Sequence, residues 1–247
     1  MPRFFLLSGD ADRGTFEIVG EDAHHISYAL RMREGDPITI CDGCGTDYDC
    51  VISRMDGKIV IVEIREAMPS RTESPVRIRL YQSIPKGDKM DYIVQKAVEL
   101  GVSAVVPVYS ERCIVRQNTE SDKKRLTRLK RIAWEAAKQC GRGILPEIAA
   151  PLRFPEAVKR AAGKNAFVCY EREDTVSLRQ YLESFAGPKP GELSFFVGPE
   201  GGYSENEMEQ VRAAGIASVK LGSRILRCET ASGYVLSCIS YVFEKQL

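Results

Sequence analysis

Two short stretches near the C-terminus hold the residue types that chemistry needs. The first is Gly198-Pro199-Glu200-Gly201-Gly202, which follows an apolar run and precedes Ser204 and Glu207. The second is Leu221-Gly222-Ser223-Arg224-Ile225-Leu226-Arg227-Cys228-Glu229, which follows another apolar run. Glycines let backbone N–H groups come close to a ligand. Arginines stabilise developing negative charge, and glutamates accept protons. Two such loops, each between a strand and a helix, are the material of a ligand site at the carboxyl edge of an α/β sheet. The first is not a Walker loop, since no Gly-Lys-Ser/Thr follows, and neither matches G-x-G-x-x-G. On its own, Gly-Pro-x-Gly-Gly also reads as a plain tight turn.

The elements that must position these loops follow from periodicity. Apolar runs predict strands over 76–82, 104–108, 166–170, 193–197 and 218–221. Helices are predicted over 89–100, 122–139, 176–185, 204–213 and about 229–245, with Ser204 and Glu207 forming a capping box. This alternation places residues 76–247 in the α/β class, with a mostly parallel sheet covered on both faces. Asp88 is expected to cap the helix at 89–100, and Gly101 to stop it. Lys86 and Lys89 oppose that helix's dipole. They read either as solvated side chains or as cations awaiting an anion such as phosphate.

Residues 1–70 read differently. Strands over 36–41, 47–54 and 58–64, turns at Asp42-Gly43 and Asp56-Gly57, and one helix over about 21–32 predict a small barrel. A polar stretch with two prolines follows, so 71–75 is expected to be a linker. His24 and His25 would point about 100° apart on a helix and are poorly placed to share a metal. The eight cysteines are scattered, and most lie in apolar patterns, as reduced thiols of a cytoplasmic protein do. Cys41-x-x-Cys44 lacks a matching second pair, so no metal site is expected. The start of the chain does not read as a signal peptide, and no apolar run has the length of a membrane span.

Net charge is +1, but its distribution is uneven. Residues 1–72 hold 8 basic and 13 acidic side chains, whereas 73–147 hold 15 and 9. Between Arg112 and Arg142 there are ten lysines and arginines against three acids, a density that suits a polyanionic partner.

Together GPEGG and LGSRILRCETA resemble the S-adenosylmethionine-binding loops of SPOUT-class RNA methyltransferases. More narrowly, QSIPKGDKMDYIVQKAVELGV and HHI…LRMREGD resemble the RsmE-type family, which methylates N3 of a uridine in 16S ribosomal RNA. The resemblance spans nearly the whole chain. It implies a PUA-like RNA-binding barrel at 1–70, a knotted SPOUT domain at 76–247, S-adenosylmethionine as donor, and small-subunit ribosomal RNA within the 30S subunit as partner. A homodimer is implied too, and the apolar last helix suits a subunit interface. The donor would be held by Tyr170, Glu171, Gly198, Pro199, Glu200, Gly201, Leu221, Gly222, Ile225, Leu226 and Arg227. RNA contacts would fall to His24, Arg31, Arg33, Lys86, Lys89, Arg112, Arg116 and Arg142. For the chemistry, Arg227 and Arg224 would stabilise the N3 anion, with Glu200 or Glu229 accepting the proton. Cys228 departs from the family's usual threonine. Action on another RNA or atom, or RNA binding without catalysis, are the competing readings.

Overall fold

The computed structural model describes residues 2–6, 14–171, 176–185 and 189–244. The chain forms two compact units, Met1–Glu73 with Ala137–Leu145, and Ser74–Ala136 with Pro146–Leu247. No described helix is long and apolar enough to cross a membrane.

The first unit contains β1 (Arg3–Phe5), β2 (Thr15–Val19), α1 (Gly20–His24), β3 (Pro37–Cys41), β4 (Thr46–Met55) and β5 (Ile59–Pro69). The strands form one sheet in the order β1-β3-β4-β5-β2. Alternation drives its closure. In β2, Phe16 and Ile18 are buried while Glu17 and Val19 are exposed. Apolar side chains from all five strands and from α1 meet in a single cluster that includes Phe4, Ile18, Ala23, Ile38, Ile52 and Val62, so the sheet curls around it. The helix expected over 21–32 is shorter. α1 passes into a π-helical turn at His25–Ala29, and Arg31 then takes a left-handed conformation at φ 53°.

Residues 137–145 complete this unit. Cys41 Sγ donates to Gly143 O at 3.2 Å, Gly45 N–H reaches Gly143 O at 3.0 Å, and Leu145 N–H reaches Gly43 O at 3.0 Å. Arg142 was expected at an RNA surface. Instead its side chain is 4% exposed, and its Nη2 meets Glu73 Oε2 at 2.6 Å. Glu73 Oε1 also accepts the N–H groups of Gly143 and Ile144 at 2.7 and 3.0 Å. The guanidinium is therefore spent inside the fold, and Glu73, within the expected linker, is a packed residue.

Gly143 admits no side chain. A Cβ there would lie 2.0 Å from Ser70 Oγ and 2.2 Å from Ser70 Cβ. Gly143→Ala is expected to cost about 1–3 kcal/mol through overpacking. Thermal denaturation would read this as a lower Tm, with part of the loss recovered when Ser70→Gly is added.

The second unit contains β6 (Arg77–Ser83), α2 (Lys89–Glu99), β7 (Ala104–Tyr109), α3 (Thr119–Cys140, its last turn in the first unit), β8 (Glu147–Ile148), β9 (Leu152–Arg153) and α4 (Phe154–Ala161). It continues with β10 (Ala166–Cys169), β11 (Val176–Ser177), α5 (Leu178–Glu183), β12 (Glu192–Val197), α6 (Glu205–Ala213), β13 (Ala217–Lys220) and α7 (Cys228–Phe243). Its sheet runs β11-β13-β10-β12-β6-β7-β8, with β9 also on β7, and every recorded pairing is parallel. Parallel neighbours need crossovers, which the helices supply. Strands buried on both faces explain the nearly continuous apolar runs, such as β12, where Leu193, Phe195, Phe196 and Val197 are buried and Ser194 alone interrupts them.

Two local expectations are corrected. Asp88 stands at the N-cap of α2 but makes no capping bond. Its side chain is 86% exposed and 3.4 Å from Arg128. The helix expected over 176–185 is split into β11 and α5, because Ser177 and Gln180 form a capping box that starts the helix only at Leu178. The Ser204–Glu207 box has the expected form, with Glu207 N–H on Ser204 Oγ at 3.2 Å and Ser204 N–H on Glu207 Oε2 at 2.9 Å.

Candidate active site at the carboxyl edge of the parallel sheet

β13, β10 and β12 are adjacent and parallel, so their carboxyl ends emerge at one edge. Tyr170 and Glu171 follow β10, residues 198–203 follow β12, and residues 221–227 follow β13 before α7 begins. These three segments, with Lys89 from α2, line a cavity of about 300 Å³.

The loop after β12 is held from two sides. On one, Glu200 Oε1 accepts Lys89 Nζ at 2.7 Å and Lys86 N–H at 3.2 Å. The lysine that opposes the α2 dipole is thus compensated within the protein. On the other, Arg112 Nη1 donates to Gly201 O at 2.9 Å, and Ser204 Oγ donates to Glu111 Oε2 at 2.6 Å. Gly198 closes over Tyr203, whose ring carbon would be 3.3 Å from a Cβ at that position. Gly222, at φ 134°, occupies backbone space that other residues rarely enter.

Charge on the wall is mixed. Arg224 and Arg227 line the cavity, and neither has a carboxylate within ion-pair distance among the described residues. Arg227 is also the N-cap residue of α7, and its carbonyl accepts the N–H groups of Thr230 and Ala231 at 2.9 and 2.8 Å. Burial alone would raise the Glu200 carboxyl. The Lys89 hydrogen bond and the N–H groups of Glu200 and Lys86 outweigh it and hold the group below the ordinary range. For Glu229 burial is likewise outweighed, by its own N–H, the Cys228 thiol, Lys89 and Arg227. Both carboxylates are ionised at neutral pH.

Tyr170, Glu171, Gly198, Pro199, Glu200, Leu221, Gly222, Arg224, Ile225, Leu226 and Arg227 all line this one cavity. Gly201 does not. It packs against Arg112, whose Cβ would be 3.2 Å from a Cβ on the glycine. The wall also includes Gly202 and Cys228, which lie within the two motifs, and Cys169, Val197, Tyr203 and Ala231, which sequence reasoning did not select. Val197 and Tyr203 adjoin the first motif, so proximity was the available signal. Of the residues expected to meet RNA, Lys86, Lys89 and Arg112 surround the loop after β12, whereas Arg116 lines a separate cavity of about 540 Å³. His24, Arg31 and Arg33 are exposed on the first unit. No group of three or more potential metal ligands is found among the described residues.

The RNA methyltransferase domain model matches residues 72–240, and the RNA methyltransferase PUA domain model matches residues 18–65. The chain is 34% identical over 236 residues to ribosomal RNA small subunit methyltransferase E of Bacillus subtilis, covering 93% of this chain and 91% of that one. The chain belongs to the ribosomal RNA small subunit methyltransferase E family. The Aquifex aeolicus member is 36% identical over 203 residues, covering 79% of this chain and 81% of that one. The crystal structure of the Neisseria gonorrhoeae member bound to S-adenosyl methionine superimposes with a TM-score of 0.83 at 33% identity, covering 98% of both chains.

Within this methyltransferase E fold, Cys228 is buried and its Sγ donates to Glu229 Oε2 at 3.1 Å. Burial, then the bond to Glu229 and the charges of Glu229 and Glu200, push the thiol up to about 12 despite Lys89. A thiol held in that form is a weak nucleophile. Brief treatment with iodoacetamide at pH 8 is expected to alkylate exposed Cys44 and leave Cys228 unmodified, as peptide mass mapping would show. Equal labelling of the two would contradict this burial.

Proposed function

We propose that the protein transfers a methyl group from S-adenosylmethionine to N3 of a uridine in small-subunit ribosomal RNA. The observation that carries this reading is the convergence of both glycine loops on one cavity, with two guanidiniums on its wall that have no carboxylate partner among the described residues. Family membership, and the donor bound in the gonococcal relative, support the donor and the RNA class.

The cavity fits such a donor. Gly222 presents only backbone, and the Gly198–Tyr203 contact keeps that loop free of any larger side chain. Residues 198–200, 221–222 and 225–227 would hold the donor, with Tyr170 and Glu171 at its border. S-Adenosylmethionine, when bound, supplies an electrophilic methyl group.

The protein's own task is the acceptor. A neutral uridine N3 carries a proton and is a poor nucleophile. Arg227 and Arg224 stabilise the anion that remains once the proton leaves. Glu200 is an ionised acceptor on the cavity wall. Because Lys89 lowers its basicity, the guanidiniums carry the larger share. Lys86, Arg112 and Arg116 attract the RNA backbone, whereas Lys89 is engaged by Glu200.

A cytoplasmic homodimer acting on the 30S subunit belongs to the same reading. The exposed Tyr234, Tyr241 and Val242 of α7 suit a twofold interface. So does the trefoil knot that the SPOUT resemblance implies.

The test is methyl transfer from labelled S-adenosylmethionine to small subunits lacking the modification, followed by digestion and nucleoside mass analysis. Recovery of label as 3-methyluridine is the expected result. Label in another nucleoside would move the enzyme to a different acceptor. Failure to bind the donor would leave an RNA-binding protein.

A further inference from the structure

The first unit holds a backbone irregularity beside an exposed aromatic pair. After α1 the chain widens into the π-helical turn His25–Ala29, with Leu30 N–H on His25 O at 2.9 Å and Met32 N–H on Ile26 O at 3.1 Å. Arg31 then adopts φ 53°, the one non-glycine residue with positive φ among those described. Both features cost free energy and concentrate where a side chain must be aimed for function. Here the turn buries Ile26 completely yet leaves Tyr28 60% exposed. The Tyr28 ring centroid lies 4.5 Å from that of His24, with 33° between the planes. Its hydroxyl end rests against Gly57 of the β4–β5 turn, where a Cβ would be 3.1 Å from Tyr28 Oη. The ring is supported by His24 and Gly57 and still open to solvent.

We propose that Tyr28, backed by His24, is a stacking platform for an unpaired RNA base, with Arg31 and Arg33 holding the adjoining phosphates. This rests on the RNA-methylating reading above. Charge selects the ligand. Although the unit is acidic overall, many of its carboxylates are already engaged. Asp22 pairs with Lys138, Asp47 with Arg3, and Glu73 with Arg142. Asp36 accepts Arg33 N–H, Glu34 accepts Met55 N–H, and Asp42 and Asp56 accept N–H groups of their own turns. The guanidiniums of Arg31 and Arg33 are left with no carboxylate partner among the described residues. An open aromatic ring followed within five residues by two arginines that have no carboxylate partner among the described residues suits a base and its phosphates, because every base offers a π-face and RNA brings the negative charge. It also accounts for RNA binding by a unit with net negative charge, which needs only a local patch.

The test uses the full chain and a fluorescent single-stranded RNA of ten nucleotides with the sequence around the methylated position, titrated by anisotropy. Tyr28→Ala is expected to weaken binding by about 5- to 100-fold, whereas Tyr28→Phe and Tyr28→Trp stay within about twofold of wild type. Arg31→Gly, which keeps the left-handed backbone accessible while removing the charge, is expected to weaken binding and flatten its salt dependence by about one phosphate contact. Because Tyr28→Ala removes a packed contact, wild-type protein is also cross-linked to the same RNA carrying 4-thiouridine, with the adduct expected in the peptide spanning 21–33. Unchanged affinity in a folded Tyr28→Ala protein, or adducts confined to other peptides, would overturn the platform. If wild type methylates small subunits and Tyr28→Ala matches it at subsaturating RNA, the platform fails and the methyltransferase reading stands. If wild type transfers no methyl group to RNA, the methyltransferase reading falls, and the titration and the cross-link still uphold or overturn the platform on their own.

Discussion

Arg227→Ala is expected to lower methyl transfer by about 10²- to 10³-fold, the loss typical of removing one preorganised group that stabilises developing negative charge. S-Adenosylmethionine binding should remain measurable, because the backbone of residues 198–200 and 221–222 is untouched. The side chain lines the cavity and has no competing carboxylate within ion-pair distance among the described residues, so its charge is available to a ligand. Paired calorimetry and single-turnover transfer would separate the two effects. Turnover at the wild-type rate would remove Arg227 from the mechanism and leave Arg224 as the remaining guanidinium on the wall. Arg227→Lys is the sharper control, since an ammonium keeps the charge but lacks the planar fork.

The largest effect on stability is expected in the first unit. Arg142→Ala would leave Glu73 charged and largely buried, with two backbone N–H groups as its remaining partners among the described residues. Breaking a buried ion pair from one side costs about 3–5 kcal/mol. At roughly 2–4 °C per kcal/mol for a chain of this size, Tm should fall by about 6–20 °C. The pair also predicts a pH dependence. Burial raises the Glu73 carboxyl, but the Arg142 hydrogen bond and charge, with the N–H groups of Ile144 and Gly143, outweigh it and hold the group below its ordinary value of 4.5. A depressed folded value contributes stability above the ordinary one, and that contribution is lost as pH falls through the folded value. Wild type should therefore lose stability on acidification below about pH 4.5, and Glu73→Gln should lose less over the same window. Parallel denaturant titrations at pH 7 and below pH 4 would decide the matter, and identical acid sensitivity in the two proteins would refute the assignment.

What could be read in the sequence follows the range of the interactions involved. Ser204 and Glu207 are three residues apart, and their capping box was legible as written. The buried strands were legible because parallel sheets covered on both faces favour nearly continuous apolar runs. α4 was overlooked although Phe154, Ala157, Val158 and Ala161 repeat with helical spacing. Its N-cap is Arg153, not one of the small polar residues that usually signal a start. Lys89 looked like a cation in wait because its partner Glu200 lies 111 residues further on. Arg142 looked like part of a basic surface because Glu73, 69 residues earlier, sat in a stretch with the composition of a linker. The loop motifs gave most of the cavity wall. The side that Gly201 turns toward depends on Arg112, and no local pattern encodes that.

The membership of residues 137–145 in the first unit bears on synthesis. A nascent chain that has emerged through Glu73 has all five strands of the curled sheet but lacks the segment that satisfies Glu73 and covers Cys41. At about 5–20 residues per second, the 72 residues from 73 to 145 take roughly 4–14 s to translate. During that interval the first unit waits unfinished while β6, α2 and β7 are made. A fragment ending at residue 73 would remain in that state indefinitely. For expression or transplantation, the smallest intact form of this unit is therefore not a contiguous piece of the gene.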